Sequence, residues 1–203
     1  MIERIKNIIL QPKQEWVKID QEQPDTMKIL TGYVLPLVLI PTIFTILGWG
    51  LVGKSYGGFL GVSMKLKGWE WGIQQGVILF ISQILMVYVS ALVIDLLSGS
   101  FKSEKNFGKS FQLVAYAMTP MWVAGVFYII PSLGFLVFIA GIYGLVILYH
   151  GVAPIKKTPV ESVTGYFVVS LLTIIVAMIV VSLIIGLIIS SVWLSKSAMI
   201  GWG

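Results

Sequence analysis

Apolar residues gather in five long runs, Ile29 to Val52, Gly72 to Leu97, Phe111 to Ile130, Leu133 to Val152 and Phe167 to Leu194, and the stretches between them hold nearly all the charge. A hydrocarbon core of ~30 Å needs about 20 helical residues, a length every run meets with almost no ionisable side chain. The pattern predicts an all-α polytopic membrane protein: a segment at 1–28, five transmembrane helices at 29–194, and a short tail at 195–203. Within the first segment Ile2, Ile5, Ile8 and Ile9 recur at helical spacing beside Arg4, Lys6 and Asn7, with Pro12 as a stop. This is the signature of a short amphipathic helix lying in the headgroup plane, expected to anchor the first span or else to act as a lipid sensor or partner-docking element.

Prolines and glycines refine the picture. Pro36 and Pro41 are expected to kink or delay the first span and Pro120 the third, because each removes a helical donor. Pro131, in Ile130-Pro131-Ser132-Leu133-Gly134, makes a turn so tight that spans three and four should form an antiparallel hairpin. Gly72 and Gly76 in span two, and Gly141 and Gly144 in span four, offer small surfaces where helices can approach closely, within one chain or between two copies. Span five is expected to face lipid over much of its surface. The segment Gly53 to Trp71 is too polar and Gly-rich to cross again.

Of the 203 residues 57% are hydrophobic and 11% charged, against roughly 25% charged in a soluble domain. No short apolar core with a cleavage site precedes Ile29, so the first span should be an uncleaved anchor. Without cysteine the chain forms no disulfide, thiolate metal site or cysteine nucleophile. Counted over alternate connecting segments, ten of the 14 Lys and Arg residues fall on the side of the N-terminus and four on the other. The positive-inside bias places the N-terminus in the cytoplasm and the C-terminus outside. The basic excess therefore marks orientation, and no nucleic acid is expected as a partner.

Two motif matches fail on context. Gly48 to Ser55 satisfies G-x-x-x-x-G-K-[ST], but a P-loop opens a helix whereas these glycines close one. Ser55, Asp95 and His150 follow the order of a hydrolase triad, yet the topology sets Ser55 and Asp95 across the bilayer from one another. No catalytic, metal or cofactor residue is assigned. What survives is a set of polar side chains at one depth near the cytoplasmic boundary: Asp95, Gln112, Tyr116 and His150. Asp95 and His150 are expected to sit at the interface or satisfy one another as packing glue, or else to line a polar pocket for a ligand or partner or to relay protons.

The order of landmarks resembles a known family. Lys6-Asn7-Ile8-Ile9-Leu10-Gln11-Pro12 with Glu15-Trp16, then Tyr33-Val34-Leu35-Pro36-Leu37, Ala115-Tyr116-Ala117-Met118-Thr119-Pro120, Ala140-Gly141-Ile142-Tyr143-Gly144 and Tyr149-His150-Gly151 together resemble the Yip family of Ypt/Rab-interacting membrane proteins. The resemblance implies a five-helix bundle with a cytoplasmic N-terminus, and in eukaryotic relatives contacts with small GTPases in vesicle traffic. Only about 28 residues precede the membrane here, where those relatives carry a long hydrophilic domain. The chain thus resembles the short prokaryotic-type branch, and no GTPase-binding residue is carried over. The expected role is non-enzymatic: organising protein partners or lipids at the cytoplasmic face of a cell membrane, with membrane lipids and a second copy or another membrane protein as partners. The alternative is a small transporter, channel or lipid-moving protein using the polar groups near Asp95 and His150.

Overall fold

The computed structural model describes residues 1–57 and 63–200, with side chains described except at 55–57, 63–65, 185 and 188–200. Two short helices, α1 (Ile2–Leu10) and α2 (Pro12–Asp20), come first. Pro12 ends one and starts the other, since its missing N–H is no loss at a first helical position. The longer helices are α3 (Thr26–Val52), α4 (Trp69–Phe101), the pair α5 (Phe107–Ala117) and α6 (Thr119–Ile129), α7 (Pro131–Lys156) and α8 (Val160–Ile200). Four stretches, α3, α4, α7 and Val160–Ile184 of α8, are each long and apolar enough to cross a membrane, and α5 with α6 makes a fifth bent by 41°. The tail expected from residue 195 is helical through Ile200; residues 201–203 lie outside the described residues. Between α3 and α4 stands a small antiparallel hairpin, β1 (Lys54–Gly57) with β2 (Ser63–Leu66), which the apolar runs do not announce.

The bend between α5 and α6 has a local cause. Pro120 cannot donate to the carbonyl of Tyr116, and the Thr119 hydroxyl donates to that carbonyl instead, at 2.7 Å. Tyr33 of α3 then donates to Thr119 Oγ1 at 2.8 Å, so the freed backbone group is tied to a neighbouring helix. Ahead of Pro36 the chain widens into a π-turn at Leu30–Val34, closed by Leu35 N–H on the Leu30 carbonyl. Pro41 lies inside α3, and α6 presses Gly125 upon it, where a Cβ would come within 2.5 Å of the proline ring.

Small residues set the helix spacings. A Cβ at Gly72 would stand 2.6 Å from the Ile46 carbonyl and one at Gly76 2.4 Å from the Ile46 side chain, which brings α4 against α3. Gly144 does the same for α7 on α5, with 2.7 Å to the Ala117 carbonyl. Gly141 does not, because its nearest neighbour, the Met121 sulfur, is 3.7 Å away.

The amphipathic face of α1 is turned onto the bundle. Ile8, Trp16 and Ile19 are wholly buried, while Met1, Ile2 and Leu10 remain exposed. Trp16 donates its indole N–H to the Ile147 carbonyl at 2.9 Å, and Tyr143 donates to the Ile9 carbonyl at 2.6 Å. The pair α1–α2 therefore runs along α7 over several turns instead of resting on its end. Gly151 makes room for it: a Cβ there would meet Trp16 at 2.6 Å and Leu113 at 2.4 Å. Gly151→Val should accordingly destabilise the docked pair by about 1–3 kcal/mol, read as faster tryptic cleavage at Lys13 and Lys18 while the remaining bundle stays protease-resistant.

Candidate functional site

Near the end of the bundle that carries the N-terminus, α4, α5 and α7 converge on one buried ammonium. Lys156, with no exposed surface, donates to Asp95 Oδ1 at 3.2 Å, to Ser110 Oγ at 2.7 Å and to the Asn106 carbonyl at 3.3 Å. Its three protons thus have three acceptors. The Ser110 hydroxyl, 3.2 Å from Asp95 Oδ1 and 3.1 Å from the Asn106 carbonyl, returns its single proton to this group. Ser98 donates to the Asp95 carbonyl at 2.5 Å, and Tyr166 of α8 donates to the Ile94 carbonyl. The Lys156 carbonyl in turn accepts from Glu104 N–H at 2.7 Å.

Depth explains how a membrane protein tolerates this pair. With 33 residues α4 is about 50 Å long, some 20 Å more than the hydrocarbon needs, and Asp95 lies roughly 40 Å along it from Trp69. A helix of that length leaves room for the ions at an end of the hydrocarbon layer, where protein buries them. The local sequence brings them there in two ways. Pro154 sits in the last turn of α7, where it costs only the donor to His150, so the helix continues far enough to carry Lys156 inward. Lys157 then adopts φ +51° as the left-handed cap.

The four polar residues singled out in the sequence divide between separate places. Asp95 belongs to the Lys156 group. His150 stands six residues before Lys156, about a third of a turn away around the helix, and is half-buried with its ring 5.9 Å from that of Tyr149. Tyr116, buried on α5 one turn beyond the buried Gln112, faces the N-terminal pair: its ring packs edge-on to Tyr33 at 4.8 Å and lies under the Arg4 guanidinium at 5.3 Å. Arg4 also pairs with Glu15 at 2.9 Å and with Glu22. Among the described residues no hydrogen bond or ion pair joins Asp95 to His150. Lys156 is what sequence reasoning missed: with the fourth apolar run ending at Val152, the lysine is left in the connecting segment.

A second clamp holds α2 to the bundle. Asp20 pairs with Lys157 and lies 3.6 Å from Lys109, which also reaches Glu104 at 3.1 Å. The hydrogen bond from Lys157 holds the Asp20 carboxyl below the usual carboxylate range, against the opposing effect of partial burial.

A cavity of about 710 Å³ lies elsewhere, in the membrane-spanning part between α4, α5, α7 and α8. Four methionines, Met86, Met118, Met121 and Met178, line it, and Gly141 forms part of its floor. Its polar lining is limited to Ser90 and Ser182. Among the described residues no three His, Cys, Asp or Glu side chains gather as a metal site. The Gly48 to Ser55 match runs from the closing turn of α3 into β1, so no helix N-terminus follows it to meet a phosphate.

The profile of one family, described as the Yip1 domain, matches residues 6–183. No curated protein and no solved structure matches the chain.

Two outcomes are expected. Asp95→Leu or Lys156→Met alone should each lose about 3–5 kcal/mol, and the double variant should recover most of it; a thermal-unfolding cycle pairing Asp95 with His150 should show no coupling. For Asp20, a depressed folded-state pKa means stability that is complete above the ordinary carboxylate value and lost as pH falls through the lower, folded one. Wild type should therefore lose its advantage over Asp20→Asn on acidification below about pH 4, followed by protease protection of α2.

Proposed function

We propose, from the premise that this chain belongs to the Yip1 family, that it is a non-enzymatic membrane protein that organises lipid, holding an acyl chain in the groove between α4, α5, α7 and α8. The groove is the observation that carries this reading. Its volume lies in the range of small-ligand sites, its walls are almost wholly apolar, and it occupies the part of the bundle where acyl chains are the solvent. Methionines suit such an occupant, because an unbranched, polarisable side chain adapts to chains of different shape.

The polar group at Lys156 supports the non-enzymatic part of the reading. Every proton of Lys156 is engaged, and Lys156 and Ser110 both lie against Asp95 Oδ1, which gives the pair a structural role. The same closure weakens the alternative of a transport path along Asp95 and His150. The N-terminal face, which carries the basic excess, is the cytoplasmic one in this reading, and α1–α2 there offers the surface to a second copy or another membrane protein.

Two glycines make the test. Gly141→Leu projects into the groove without a backbone clash and should remove most of the phospholipid that co-purifies, as measured by native mass spectrometry, with little change in thermal stability. Gly72→Ala on α4, outside the groove, meets the Ile46 carbonyl and should cost about 1–3 kcal/mol of stability while sparing lipid content per folded molecule. Unchanged lipid in Gly141→Leu would remove the groove from the reading.

A further inference from the structure

A second cavity, of about 490 Å³, lies at the opposite end of the bundle between α3, α4, α6 and the start of α7. Its wall differs in chemistry from that of the groove: Thr45, Lys54, Gln75 and Tyr128 all contribute to it, together with Trp49. Thr45 is 5% exposed, and its Oγ1 has no hydrogen-bond partner. A helical threonine ordinarily returns its hydroxyl to the carbonyl one turn back, as Thr42 does to Val38 at 2.8 Å. Thr45, on the same helix, contributes to the cavity wall with its hydroxyl unpartnered. A buried polar atom of this kind marks a place completed by something other than the chain itself.

The groups around the cavity select the chemistry of that occupant. Two hydroxyls, a carboxamide and an ammonium can all donate, and no carboxylate lines the wall. The Lys54 ammonium lies 6.0 Å from the centroid of the Trp49 ring. The cavity opens where α3 gives way to β1, beside a tryptophan and a tyrosine, the residues that mark headgroup depth. We propose that this cavity binds a phosphate group, carried by the headgroup of an anionic phospholipid or free in solution. The proposal does not rest on the groove, which lies between other helices.

The full-length chain, purified in detergent, is offered phosphatidylglycerol or uncharged diacylglycerol, and retention is read by native mass spectrometry for wild type, Thr45→Val and Lys54→Gln. Retention of phosphatidylglycerol over diacylglycerol, reduced about tenfold in each variant, is the result expected of a headgroup site. Thermal stabilisation of wild type, but of neither variant, by millimolar inorganic phosphate without lipid preference assigns the site to free phosphate. Equal retention of both lipids with no response to phosphate, or variants indistinguishable from wild type, overturns the proposal and leaves a water-filled space. Where Thr45→Val lowers the yield of folded protein, the exposed Lys54→Gln decides, since it removes the charge without touching the core.

Discussion

The arrangement of one end of the bundle depends on a single buried ammonium. Taking Lys156 and Asp95 out of water costs several kcal/mol for each ion, and their attraction offsets this only if the remaining protons and lone pairs find partners. That requirement fixes geometry. Asn106 must turn its carbonyl inward, Ser110 must sit within reach of both ions, and α7 must continue past Pro154. Because Asn106 also caps α5 by accepting from Lys109 N–H at 3.1 Å, the same residue that satisfies the lysine sets where the third span begins. A hydrophobic isostere pair would fill the space without specifying any of this.

The N-terminal helices add a second layer, and their attachment follows a different logic. Trp16 and Tyr143 use backbone carbonyls as acceptors, so position along α7 is read by hydrogen bonds and not by apolar contact alone. The Arg4 guanidinium, with two carboxylates and a tyrosine ring around it, is paired and stacked at once. A lipid-facing amphipathic helix needs none of these partners.

Much of the membrane architecture was legible because hydropathy over some 20 residues is a strong signal and prolines punctuate it. Pro120 announced a break, and the break lies at Met118, one step ahead of Thr119. The second N-terminal helix was not legible: Pro12 was read as a stop, and the polar surface of Lys13 to Asp20 hides the two residues, Trp16 and Ile19, that dock. The partner of Asp95 was hidden because the apolar run of the fourth span ends at Val152, while the helix itself continues to Lys156. Nor does sequence distinguish Gly141 from Gly144. Both are small residues on one helix and both line the groove, yet only Gly144 also closes on a backbone carbonyl, a difference that depends on what α5 and α6 place opposite them.

The groove has walls of unequal firmness. Near its first turns α8 is held by Tyr166, which is bonded to Ile94 and stacked on Phe101 at 5.1 Å. Farther along, Leu172, Ile175, Val176, Ile179, Leu183 and Leu187 are exposed. Ser170 and Ile174 are still buried, and Ala177 and Met178 pack on the core, so α8 loses its hold on the bundle by degrees, and the groove is firmest at the end beside the buried lysine.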